Sequence, residues 1–305
     1  MNSIAEKLLQ MISENAEPKV EAFNIRENGK CSKICCSDNI KIVPKENNAG
    51  LDITVLPGTK NETVSIPAIV TEGGIDDVAR NDFYIGDDCQ IVIVSGCGIH
   101  TDTDQDSSHD GIHSFHIGKN CHIKYIEKHV GTGIGIGIRA INPIADIEID
   151  ENSYLEMDTT QISGVSVAKR KTTAKVAAGS KLVVHERLFT QGIERVHTDF
   201  VVELNGEDSK ADIVSRTVAR DNSYQRFMST IVGNAKCTGH SECDSIIDNG
   251  AIVDSLPRLI AKNKNASLIH EAAIGKIAGE QILKLQTLGL SEEQAENEII
   301  NGFLS

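Results

Sequence analysis

Five times between residues 86 and 213 the chain repeats one unit: a polar turn, a small Cys or Ser, then alternating apolar and polar residues. Gly86-Asp-Asp-Cys89 leads into Ile91-Val-Ile-Val94, Gly118-Lys-Asn-Cys121 into Ile123-Lys-Tyr125, and Asp150-Glu-Asn-Ser153 into Leu155-Glu-Met157. Ala177-Ala-Gly-Ser180 leads into Leu182-Val-Val184, and Gly206-Glu-Asp-Ser209 into Ala211-Asp-Ile213. The Cys/Ser positions recur every 27–32 residues or so, the spacing of a solenoid. Period-2 alternation is the pattern of strands. One such unit cannot bury its apolar face alone, whereas stacked coils can, each strand pairing with its equivalent in the next coil. A parallel β-helix over about 81–265 follows. It is preceded by an N-terminal region, 1–80, with an amphipathic helix (Ile4, Leu8, Met11, Ile12) and short strands. After it comes a helical region, 266–305, where Ile274, Ile277, Ile282, Leu285 and Leu288 form an apolar stripe. There Gly289 suits a helix C-terminus and Ser291-Glu-Glu-Gln294 reads as a capping box.

Composition agrees with stacked β layers. Only 4% of the 305 residues are aromatic and none is Trp, so the core is built from Ile, Val, Leu and Ala. A formal charge of −14 opposes binding to phosphate backbones, which argues against nucleic acid. With no apolar run of about 18 residues and no signal-peptide pattern, the expectation is a soluble cytoplasmic protein without a membrane partner. The 8 cysteines are then read as reduced thiols, most of them buried small residues.

Several stretches invite a chemical reading. Cys31-Ser-Lys-Ile-Cys35-Cys36 lacks a second ligand pair at zinc-ribbon spacing. Gly131-Thr-Gly-Ile-Gly-Ile-Gly-Ile looks like a phosphate cradle, but no Lys-Ser/Thr and no helix follow, so close backbone approach along a strand is the better reading. Asp102-Thr-Asp104-Gln-Asp106 begins like a calcium loop, yet Ser107 and His113 stand where Gly and Glu belong. The histidines around it (His100, His109, His113, His116, His122, His129) fall partly at period-2 spacing. Histidines on a β-helix face are ordinarily hydrogen-bonded structure. At the C-terminal end Cys243, His270 and Glu271 offer a thiol, an imidazole and a carboxylate, all ligands for iron or zinc.

The segments Ser95-Gly-Cys97, Cys243-Asp-Ser245, His270-Glu-Ala272, Gly275-Lys-Ile277, Gln281, Leu288-Gly-Leu-Ser-Glu-Glu-Gln-Ala295 and Ile300-Asn-Gly-Phe303 resemble the SufB/SufD family, scaffold subunits of the SUF iron–sulfur cluster assembly machinery. The chain looks like a compact member of it. The resemblance implies a right-handed parallel β-helix, a non-catalytic scaffold role, and a transient iron–sulfur cluster. It further implies a SufC-like ABC ATPase docked on the helical end (Ile274, Ile277, Leu285, Leu288, Phe303), with ATP hydrolysis in that partner. A second SufB/SufD-type subunit, this chain's copy or a sister chain, would pair through the β-helix, and a sulfur donor would serve it. It assigns Cys243 to holding the nascent cluster, with Glu271 and His270 beside it, and Cys97 to sulfur entry. Two other readings compete with it. One is a β-helix polysaccharide lyase or hydrolase using the 102–116 stretch with calcium, against which the lack of Trp platforms counts. The other is a purely structural β-solenoid.

Overall fold

The computed structural model of the chain describes residues 3–13, 20–162 and 164–304. Its body is a parallel β-helix made of two sheets. The first stacks Ala22–Glu27, Lys60–Val70, Gln90–His100, His122–Thr132, Tyr154–Ile162, Lys181–Thr190, Ser209–Ala219, Cys237–Ile247 and Ser267–Gly275 in that order. The second runs from Gly50–Val55 through Asp76–Ile85, Ser107–Ile117, Val167–Val176, Arg195–Leu204 and Tyr224–Gly233 to Ile252–Ala261, with Arg139–Ile141 and Ile144–Ile149 together filling one rung. Short antiparallel strands, Lys30–Cys35 and Ile40–Pro44, close the first coils.

The repeat seen in the sequence is the corner between the sheets. Asp88, Asn120, Asn152, Gly179 and Asp208 each take the left-handed conformation, with φ between 55° and 69°. Asn, Asp and Gly are the residues that tolerate this conformation. The next residue (Cys89, Cys121, Ser153, Ser180, Ser209) turns inward and is buried. Its small size lets the corners stack, and its hydroxyl satisfies the turn backbone: Ser153 Oγ accepts from Cys121 N at 2.9 Å, and Ser180 Oγ accepts from Ser153 N at 2.9 Å.

Two boundaries move. Parallel pairing starts well before residue 81: Gly50–Val55 already pairs with Asp76–Ile85, and Lys60–Val70 with Gln90–His100. At the other end Ser267–Gly275 is a strand paired with Cys237–Ile247, so the stack runs ten residues past 265 and the helical region begins only after it. Ile274 thus sits on that strand and not on a helix. The helices are α1 (Ser3–Ser13), α2 (Gly279–Thr287) and α3 (Glu292–Leu304). Leu8 and Ile12 of α1 lie over Gly96 and Gly98 on the outside of the first sheet; a Cβ at Gly96 would come within 2.2 Å of Ile12. At α3 the capping box forms, Ser291 Oγ accepting from Gln294 N at 3.2 Å and Gln294 Oε1 accepting from Ser291 N at 2.9 Å. Glu296 of α3 is tied to Arg220 of the β-helix at 2.9 Å. Among the described residues no helix is long and apolar enough to cross a membrane.

The interior of the β-helix has two sides. Next to the Cys/Ser corner it is apolar, with Phe83 and Phe115 stacked at 4.7 Å among Ile, Val and Leu. Toward the opposite corner the inward positions turn polar, and that half carries the site.

Candidate functional site

In-register parallel pairing gives the first sheet two polar inner columns. One reads Ser95, Glu127, Thr159, Glu186, Ser215, Cys243 from coil to coil; its neighbour reads Cys97, His129, Gln161, Leu188, Thr217, Ser245. Cys97 and Cys243 therefore face one lumen, and five rungs separate their strands, roughly 24 Å at the usual strand spacing. They are 4% and 2% exposed.

Cys97 lies in a small void lined also by Arg26, Asn81, His109 and His113. Burial alone would push its thiol up, but His109 and His129 outweigh burial and bring it to about 7. Burial disfavours charge on His109 too, yet Cys97 and Asp77 raise it to about 10; Asp77 Oδ2 is 2.8 Å from its Nδ1. Asp77 is in turn clamped by Arg26 through Nε at 2.8 Å and Nη2 at 2.6 Å. His129, next to Glu127 at 3.4 Å, rises to about 9 despite burial. Glu127 also accepts from Tyr125 Oη at 3.0 Å and pairs with Arg170, whose Nε lies 3.8 Å from Glu186. Glu186 accepts from Thr198 and from Ser215, the residue paired with Cys243. The Cys97 thiol, flanked by imidazoles, thus heads a run of buried charges and hydroxyls that reaches Ser215, the in-register neighbour of Cys243. Burial pushes the Cys243 thiol up.

At the C-terminal coils the expected trio divides. His270 pairs with Ser241, whose side chain is inward, so His270 shares the face of Cys243, one pleat away on the terminal strand. Glu271 pairs with Glu242 and shares its outer face. Alternation forbids anything else, because adjacent residues of a strand point to opposite sides. Glu271 instead meets Glu242 and His240, with ligand atoms all within 4.8 Å of one another. Sequence reasoning did not single out His240 and Glu242. The signal was there: His240-Ser-Glu242 is an i, i+2 pair once the segment is a strand.

Of the apolar stripe, Ile274 and Leu288 are exposed, the latter by 72%, while Ile277, Leu285 and Phe303 are half-buried. Cys35 and Cys36 are exposed near the opposite end of the β-helix, and Cys31 is half-buried there. The acidic loop is structural. Asp102 Oδ1 accepts from Ile134 N at 3.0 Å and Asp106 Oδ1 from Ile138 N at 2.8 Å, which takes up carboxylate oxygens a calcium ion would need. The glycine run is no phosphate cradle either: Gly135 N and Gly137 N donate to Thr101 O and Thr103 O, with a Cβ at Gly137 only 2.1 Å from Gln105 O.

Comparison with known proteins meets this geometry. Residues 77–303 match the family model described as SUF system FeS cluster assembly, SufBD core domain. An iron–sulfur cluster assembly SufBD family protein of Methanocaldococcus jannaschii is 29% identical over 238 residues, 77% of this chain and 74% of its own length. One of Archaeoglobus fulgidus is 27% identical over 267 residues, 87% of this chain and 70% of its own length. The iron–sulfur cluster assembly protein SufB of Bacillus subtilis is 32% identical over 101 residues, 32% of this chain and 22% of its own length. With the family model spanning about three quarters of the chain, from the strand Asp76–Ile85 through α2 and α3, the chain belongs to the SufBD family of iron–sulfur cluster assembly proteins.

Proposed function

We propose that this chain is a scaffold on which iron–sulfur clusters are built and from which they are passed on, driven by a separate ABC-type ATPase. The observation that carries the reading is the placement of Cys243. It is an inward thiol one strand from the open edge of the stack, with His270 on the same side and carboxylates on the other face of the same two strands. Thiolate sulfur is a soft ligand for iron, and a site in which an imidazole stands in place of further thiolates releases its cargo more readily than a four-cysteine site. Among the described residues the terminal strand Ser267–Gly275 is paired on one side only, so its other edge is open to a second scaffold chain, a copy or a sister, that would complete the site.

Sulfur enters, in this reading, at Cys97. His109 and His129 bring its thiol to about 7, which supplies the thiolate. That thiolate attacks the outer sulfur of a donor persulfide, the donor's S–S bond breaks and its thiolate leaves, and the outer sulfur stays on Cys97 as a persulfide. The ATPase docks on α2 and α3, with exposed Leu288 and Ile274 at the contact. Because α2 follows the terminal strand directly and α3 is anchored at Arg220, force on the helices reaches the strand that covers Cys243.

Anaerobic purification with analysis of iron, labile sulfide and visible absorbance tests the central assignment. The chain co-produced with its ATPase and partner scaffold should carry iron and sulfide, and Cys243→Ala should carry neither. Full cluster content and transfer in Cys243→Ala would overturn the assignment. Removing residues 279–305, which leaves every strand in place, should abolish ATPase binding in a pull-down; retained binding would move the docking surface elsewhere.

A further inference from the structure

We propose that His240, Glu242 and Glu271 form a divalent-cation site on the outside of the last two coils, separate from the Cys243 thiol. Glu242 and Glu271 are in-register neighbours on parallel strands, and His240 precedes Glu242 by one pleat, so all three side chains leave the sheet on one face. Their ligand atoms fall within 4.8 Å of one another, a separation that one bound ion can bridge. The imidazole is already oriented: Asp212, its in-register neighbour, sits 2.9 Å from Nδ1. A carboxylate behind a histidine fixes the ring and leaves Nε2 as the ligand atom, the outer-shell arrangement common at metal-binding histidines.

The outward column through this rung reads His185, Val214, Glu242, Glu271, so two carboxylates lie side by side. Like charges directly opposed on a sheet are destabilising. A divalent ion between the carboxylates removes that repulsion. One imidazole and two carboxylates suit a borderline or hard divalent ion and leave coordination positions to water, a set that binds without trapping.

Cys243 adjoins Glu242 in sequence but points through the sheet to the lumen. The oxygen and nitrogen ligands and the thiol thus occupy opposite faces of the same strands. That the ion is ferrous iron waiting to join a cluster rests on the scaffold reading; the site itself rests on the three side chains.

Cobalt(II) tests the site without any sulfide, since its visible spectrum distinguishes nitrogen–oxygen from thiolate coordination. The full-length Cys243→Ala chain, titrated without oxygen, should bind one Co(II) with no thiolate charge-transfer band. Glu242→Gln and His240→Ala should each weaken binding by at least tenfold, and Asp212→Asn by about tenfold, as for outer-shell partners. Glu242→Gln keeps the side-chain volume and relieves the repulsion, so it should fold; circular dichroism checks that it does. Unchanged Co(II) affinity in folded Glu242→Gln overturns the proposal, as does binding that disappears in Cys243→Ala. The two readings fail separately. Co(II) binding at the triad in a chain that never gathers clusters sinks the scaffold reading alone. Clusters accompanied by unchanged metal affinity in Glu242→Gln sink the site alone.

Discussion

Arg170→Met should lower the stability of the fold by about 3–5 kcal/mol, the usual penalty for stripping one partner from a buried ion pair. The Arg170 guanidinium lies between two buried carboxylates, Glu127 and Glu186, on the polar side of the lumen. Glu186 keeps its hydrogen bonds from Thr198 and Ser215, neither of which brings charge, while Glu127 keeps Tyr125 and the His129 imidazole at 3.4 Å, so the uncompensated charge falls mainly on Glu186. The pH dependence follows from Glu127. Burial works to raise its carboxyl, and Arg170, chief among the groups opposing burial, holds it well below its ordinary value of 4.5. A depressed acid contributes stability that is present above its unfolded value and lost as pH falls through the folded one. The deficit of Arg170→Met should therefore be largest at neutral pH and above, and shrink as the medium becomes acid enough to protonate the carboxyls. Adding Glu127→Gln to Arg170→Met should recover part of the loss, as expected for coupled neighbours. Urea unfolding of the single and double variants measures both. A loss of less than about 1 kcal/mol for Arg170→Met, the range of an exposed pair, would show that water reaches these carboxylates.

That array also marks what could be read in the sequence. The corner turns were legible because each needs a left-handed Asn, Asp or Gly followed by a small inward residue, a local requirement written in consecutive letters. The same design sits at Gly58-Thr59, with φ of 78° at Gly58 and Thr59 buried, but Thr in place of Cys or Ser hid that coil. The strand Ser267–Gly275 resisted reading for another reason. Leu268, Glu271, Ala272 and Ala273 are good helix formers, and only the open edge of Cys237–Ile247 makes them a strand. Cys243 was visible through its motif. The division of His270 from Glu271 was not, because it depends on that strand's pleat. Arg170 and Glu127 are 43 residues apart, and nothing short of the coil register brings them together.

His109→Ala should move the titration of Cys97 from about 7 to its ordinary value of 9.0 or above. Burial already opposes the thiolate, and the variant removes the largest of the groups that outweigh burial. At neutral pH the thiolate fraction would fall from about half to about 1% or less, since each pKa unit is a tenfold change. The ultraviolet thiolate absorbance of the chain, taken as a difference from Cys97→Ser, follows this directly. Stability should carry the same signature. His109, raised from 6.5 to about 10, contributes stability in full below 6.5 that is gone above about 10. Cys97, lowered from 9.0 to about 7, contributes in full above 9.0 and loses its contribution as pH falls to about 7. Between about 7 and 9 the two slopes are equal and opposite, so this pair leaves wild-type stability flat there. In His109→Ala both slopes disappear together, because the cation is gone and the thiol no longer differs from its unfolded value in the favourable sense. A wild-type Cys97 that titrated at 9 or above would break the link between the buried imidazoles and the thiol, and with it the physical basis for sulfur entering the lumen at this residue.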